Sequence, residues 1–170
     1  MEMYWRDHNM CPTEEQYSSM VRKKTCHVFI GVKLMQLLSD CNELDLQPLI
    51  AIMSEYIQIR NDYQNLTSEE LQKIKGFCED FTEGKFSSFP IIHAIHSDLN
   101  DTTVSDILRM RTKDKALIEK ALKKMQSLGS FEYTLKRLKQ LDAMARDAVK
   151  RLGPNHMIEQ ALDYLLYNKK

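Results

Sequence analysis

Gln58-Ile59-Arg60-Asn61-Asp62-Tyr63-Gln64-Asn65 lies inside a long apolar-periodic segment that begins near Asp45. Set on a helix at about 100° per residue, Leu49, Ile52, Tyr56, Ile59, Tyr63 and Leu66 form one stripe. Gln58, Asn61, Asp62 and Asn65 fall within about a third of the circumference, roughly opposite that stripe. The segment predicts a long helix that buries one side and gathers oxygen-bearing side chains on another. Hard cations such as magnesium favour such oxygens, carboxylates most of all, and only Asp62 among the four is a carboxylate. A solvated polar face explains the same pattern.

Around this segment the chain reads as helical throughout. It has 170 residues, a formal net charge of zero, 5 glycines, 4 prolines and 10 methionines. No β-alternation stands out, so the composition predicts one all-α domain over residues 1–170. Zero net charge gives no global field favouring nucleic acid or an anionic membrane. No apolar run approaches the roughly 20 residues of a transmembrane helix. The start, Met1-Glu2-Met3-Tyr4-Trp5-Arg6-Asp7, matches neither a signal nor a transit peptide. Cys11, Cys26, Cys41 and Cys78 form no C-x-x-C pair. They read as reduced thiols of an intracellular, cytoplasmic protein.

Thr13 and Gln16 form a capping box opening a helix to about Asp40, with Val21, Val28, Val32 and Met35 on one side and Lys24-Thr25 interrupting the pattern. Asn42 to Asp45 is a turn, and Pro48 suits the first turn of the next helix. Thr67 and Glu70 form a second box, starting a short polar helix to Lys75. Gly76 to Pro90 is the least regular part; its four phenylalanines predict that it folds back on the core. Pro90 opens a helix carrying His93 and His96. Helices follow over Thr103–Met110 and Asp114–Leu128. Ser130 caps a long helix to Leu152, and a last helix runs to about Tyr167.

Candidate chemistry is thinly signalled. Glu79, Asp80 and Glu83 lie close in sequence to Lys75 and Lys85. Such a set suits a charged ligand, lysines meeting phosphate and carboxylates holding a metal. Local ion pairs on a solvated loop are the other reading. His93 and His96 share a helix face but lack the further ligands zinc needs. No Ser-His-Asp, Cys-His or glycine-rich phosphate motif is present. Lys123-Lys124, Lys136-Arg137 and Lys139 read as solvated helix faces.

Several short motifs occur together in order. They are Tyr4-Trp5-Arg6-Asp7, Cys11-Pro12-Thr13-Glu14-Glu15, Lys24-Thr25, Met35-Gln36-Leu37, Gln58-Ile59-Arg60, Phe77-Cys78-Glu79-Asp80, Thr82-Glu83-Gly84-Lys85-Phe86, Ile92-His93-Ala94-Ile95 and Gly129-Ser130-Phe131-Glu132-Tyr133-Thr134. Together they closely resemble the C-terminal half of animal geranylgeranyl diphosphate synthases, in the trans-isoprenyl diphosphate synthase (polyprenyl synthase) family. The resemblance covers essentially the whole chain.

That resemblance implies the C-terminal half of an all-α isoprenoid-synthase bundle around a deep cavity. Two facing aspartate-rich motifs would bind Mg2+ with an allylic diphosphate such as farnesyl diphosphate, and isopentenyl diphosphate would add to the resulting cation. By position, Lys24, Gln58, Lys75 and Lys85 match diphosphate-binding residues, and Lys24, Thr25 and Gln58 match residues at the reacting end. Asn61, Asp62 and Asp80 match metal-binding positions, with Asn61 and Asp62 at the two leading aspartates of the second motif. Association with an intact synthase subunit, or with further copies of the chain, is also implied.

Departures from the family pattern point the other way. The first motif, D-D-x-x-D, does not occur in these residues. Asn61 stands for an aspartate, a neutral and weaker magnesium ligand. Glu2 stands for an aspartate, Ile57 for a phenylalanine, and Cys26-His27 for two glycines. Ser87-Ser88 holds one extra residue. The expectation is a truncated, weak or inactive prenyltransferase; the alternative is a non-catalytic half-domain that binds an intact subunit.

Overall fold

The computed structural model describes residues 1–39, 43–68 and 77–167. Ten helices account for most of them: α1 (Glu2–Asp7), α2 (Glu14–Lys24), α3 (Cys26–Leu37), α4 (Gln47–Thr67), α5 (Glu79–Glu83), α6 (Phe89–Ser97), α7 (Thr103–Met110), α8 (Lys115–Ser127), α9 (Ser130–Leu152) and α10 (His156–Tyr167). Among the described residues there is no strand, so the all-α expectation holds. No described helix is long and apolar enough to cross a membrane.

The two longest helices, α4 and α9, make the most extensive helix pair. Along α9, Phe131, Thr134, Leu138, Leu141, Ala145, Ala148 and Val149 are buried, a three–four spacing that lays one side on α4 and α6. Leu49, Tyr56 and Ile59 of α4 join Tyr17, Val21, Phe89 and Ile92 in one cluster of the core. Leu66, Phe81, Phe86, Ile107, Leu108, Ile118 and Met125 make the second, under α7 and α8.

Local chemistry sets most helix ends where the sequence places them. Thr13 and Gln16 close their capping box, with the Thr13 N–H donating to Gln16 Oε1 at 2.9 Å and the Gln16 N–H to Thr13 Oγ1 at 3.2 Å. Pro48 occupies the first turn of α4. Phe81, Phe86 and Phe89 are buried to 1% exposure or less, so the irregular segment does fold back on the core.

Other ends differ. The helix expected from Thr13 to Asp40 is two helices that break at Thr25. There the Thr25 hydroxyl donates to the Val21 carbonyl at 2.9 Å and shares it with the Thr25 N–H at 3.1 Å, an arrangement that bends helices. The break separates Val21, which is buried, from Val28 and Met35, which are 45% and 64% exposed. Ser130 does not cap α9; Gly129, in the left-handed region at φ 68°, precedes it, and Ser130 Oγ contacts His93 Nδ1 at 3.0 Å instead. Thr67 is the last residue of α4, its hydroxyl donating to the Tyr63 carbonyl at 2.8 Å. The expected cap at Glu70, the residues Cys41, Asn42, Lys75 and Gly76, and the polar helix to Lys75 lie outside the described residues.

Candidate functional site: a polar pocket beside an apolar groove

The site is organised around Asp62. The sequence places this residue on the polar face of α4, but the structure buries it completely. On the helical wheel it borders the apolar stripe, and α2 and the turn before α6 close over that border. Four protein donors fill its two oxygens. Lys85 Nζ donates to Oδ1 at 2.7 Å and Gln58 Nε2 at 3.0 Å. The Tyr17 hydroxyl donates to Oδ2 at 2.7 Å and the Phe89 N–H at 3.1 Å. Burial, and then Asp62, hold the Tyr17 hydroxyl well above the usual tyrosine range, so it stays a donor.

Asp80 stands next to it on α5. Its Oδ1 accepts from Asn65 Nδ2 at 3.3 Å and pairs with Lys85 Nζ at 3.5 Å. Its Oδ2 is buried without a well-formed hydrogen bond, with the Ser88 hydroxyl, also without one, the neighbouring group that helps hold the carboxyl down. Burial and the neighbouring Asp62 raise the Asp80 carboxyl to about 6, against the pull of Lys85. Burial works against the charge on Lys85, but Asp62 and Asp80 outweigh it and raise the ammonium above the usual lysine range. One cation thus serves two buried carboxylates, and the second carboxylate keeps one oxygen unmet.

These groups form the wall of a pocket of about 400 Å³ that brings together Lys24, Gln58, Asn61, Asn65, Asp80 and Lys85. Lys24, from the end of α2, is about half exposed and pairs with Glu2 at 3.1 Å. Thr25 lies instead in an apolar groove of about 600 Å³ between α3, α4 and α10, walled by Val28, Val32, Leu49, Ile50, Met53 and Ile57. Gln58 lines both spaces. Six of the expected site residues therefore meet in the two adjoining spaces around Asp62, Lys75 lies outside the described residues, and Asp62 itself sits behind the pocket wall.

Sequence reasoning missed Tyr17 and gave Arg6, which lines the pocket, no role beyond its motif. Tyr17 reads as an ordinary apolar position of α2, and nothing in its neighbours signals a buried carboxylate 45 residues away. Of the substituted positions, Cys26 and His27 begin α3 exposed, where the Thr25 break already opens the helix. Ser87 and Ser88 lie in the turn between α5 and α6, outside any helix. His93 and His96 serve different partners: His93 stacks on Tyr133 with ring centroids 4.1 Å apart, and His96 Nε2 lies 3.0 Å from the Pro12 carbonyl.

Among the described residues no group of three or more histidines, cysteines, aspartates or glutamates is placed to hold a metal alone. What the arrangement can do is receive an amphiphile: an anionic head against Lys24 and Lys85, and an apolar body along the groove. The profile of the family described as Polyprenyl synthetase matches residues 1–125, and the chain belongs to that family. It is 46% identical over 167 residues to a terpene synthase of Matsumurasca onukii, covering 98% of this chain and 54% of that protein. It is 47% identical over 154 residues to a geranylgeranyl pyrophosphate synthase of Penicillium shearii, covering 90% and 40%. A geranylgeranyl pyrophosphate synthase of Mucor circinelloides f. lusitanicus is 42% identical over 164 residues, covering 96% and 54%. The chain thus spans about half the length of these curated relatives.

Proposed function

We propose that this chain carries the second metal–diphosphate half-site of a prenyl-transferring enzyme of the geranylgeranyl diphosphate synthase type. The observation that carries the reading is the meeting of the polar pocket and the apolar groove at Gln58. An allylic diphosphate has the matching shape, a multiply anionic head on a branched hydrocarbon tail. Lys24 and Lys85 would hold the head as point charges. Thr25 and Gln58 would flank the carbon that loses it. The groove would keep water from the tail.

The pocket also argues for a cation. Arg6, Lys24 and Lys85 face Glu2, Glu79, Asp80 and Glu83, so an unaccompanied diphosphate meets more negative than positive groups. The unmet Oδ2 of Asp80 and the exposed amide of Asn61 are the donors that would hold Mg2+, with water and diphosphate oxygens completing its shell. When bound, the ion would neutralise charge on the departing diphosphate. We assign Asp62 the task of orienting Lys85 and Gln58, because its own oxygens are taken up by protein donors.

In this reading residues 1–170 supply one side of a site whose other side carries the D-D-x-x-D motif and the isopentenyl diphosphate subsite. The pocket alone binds the head group and does not complete the transfer. A second reading has its own observation. Leu37 and Leu38 at the end of α3 are 74% and 91% exposed, an apolar end that suits association with a prenyl synthase subunit or another copy of the chain. The thiols of Cys11 and Cys26 fit a cytoplasmic setting.

The experiment is a turnover assay with farnesyl diphosphate, labelled isopentenyl diphosphate and Mg2+. The chain by itself is expected to give no geranylgeranyl diphosphate, and Asn61→Asp is expected not to restore it, because the facing motif is not among these residues. Product formed by the purified chain, with host synthase excluded, overturns the half-site reading.

A further inference from the structure

Arg111 has an unusual backbone for an arginine. It follows α7 in the left-handed region at φ 48°, a helix-end position where glycine or asparagine is less strained. Strain retained at a side chain points to work done by that side chain. Two contacts show what it holds. Nη2 donates to the Arg6 carbonyl at 3.0 Å, tying the end of α7 to α1. Its stem lies against Gly84, which is itself left-handed at φ 68°; a Cβ there would meet Arg111 Nε at 2.9 Å and Cγ at 3.0 Å.

Gly84 directly precedes Lys85, and the Lys85 N–H closes the same turn on the Asp80 carbonyl at 2.8 Å. Arg6 and Glu2 of α1 line the other side of the pocket. The arginine therefore touches both walls without entering the pocket. We infer that Arg111 is a positioning residue for the half-site, a strut that fixes the Gly84–Lys85 turn against α1. It sets where the Lys85 ammonium stands between Asp62 and Asp80. The inference rests on the proposed half-site for its role in binding, but not for its geometry.

Two readouts test it, with Mg2+ and inorganic pyrophosphate as the probe and the chain 1–170 as the protein. In calorimetric titrations Arg111→Ala weakens pyrophosphate binding about tenfold, the range for loss of a supporting contact behind a metal or phosphate ligand. In hydrogen exchange Arg111→Ala speeds exchange at residues 84–88 and leaves α9 as it was. Arg111→Lys can still donate to the Arg6 carbonyl, so it recovers both. Absence of pyrophosphate binding in the unsubstituted chain counts against the half-site alone; the strut is then judged by exchange. Unchanged exchange at 84–88 in Arg111→Ala overturns the strut. So does an equal loss in Arg111→Ala and Arg111→Lys with faster exchange throughout the chain, which marks general destabilisation.

Discussion

Lys85 is the residue on which the pocket turns. Its ammonium is 15% exposed and stands between two carboxylates, at 2.7 Å from Asp62 and 3.5 Å from Asp80. Removing one partner of a buried ionic group leaves charge uncompensated, at a cost of about 3–5 kcal/mol. Lys85→Met is therefore expected to lower the unfolding free energy measured by urea denaturation by an amount in that range. Lys24→Ala, which breaks only the half-exposed pair with Glu2, is expected to stay within about 1 kcal/mol. Equal effects of the two would show that the buried network is not formed. His93 gives a pH test. Burial lowers its pKa from 6.5, so the folded chain binds fewer protons than the unfolded chain just below that value. The stability this residue contributes is present above pH 6.5 and lost as pH falls below it. His93→Gln is expected to flatten that limb in melts recorded across the acid range; an unchanged slope would remove His93 as its source.

The helices show which features can be read from sequence. The Thr13–Gln16 box, Pro48 and the long α4 and α9 follow from local rules, because capping and periodicity act within a few residues. Thr25 was visible only as an interruption of pattern. That it divides α2 from α3 depends on a hydroxyl choosing its own backbone. Asp62 looked polar on the wheel, but its burial depends on Tyr17, Lys85 and Phe89, which arrive from three separate segments. Distance in sequence is what hid the centre of the site. α3 carries the element-scale prediction. Ile30, Leu34, Leu37 and Leu38 recur at helical spacing and are all more than half exposed. Leu34→Lys with Leu38→Lys is expected to change stability by no more than about 0.5 kcal/mol, as exposed substitutions do. It is also expected to reduce self-association in sedimentation velocity. A large loss of stability would mean that this side of α3 is covered in solution.

Across the whole molecule, the fold places a charged pocket and an apolar groove side by side with one residue, Gln58, common to both. The chain belongs to the Polyprenyl synthetase family and spans about half the length of its curated relatives. The resemblance was legible because it rests on many short motifs in one order, not on any single one. The layout of the pocket was less so, because one oxygen of Asp80 left unmet and a carboxylate withdrawn behind the wall are properties of packing. Head and tail of one ligand are expected to occupy these adjoining spaces. Calorimetric titration of the chain with farnesyl diphosphate and with inorganic pyrophosphate, each with Mg2+, tests it most directly. One site is expected for both, tighter for farnesyl diphosphate because the groove takes the tail, and lost when Mg2+ is chelated. No binding, or equal affinity with and without the tail, would contradict it.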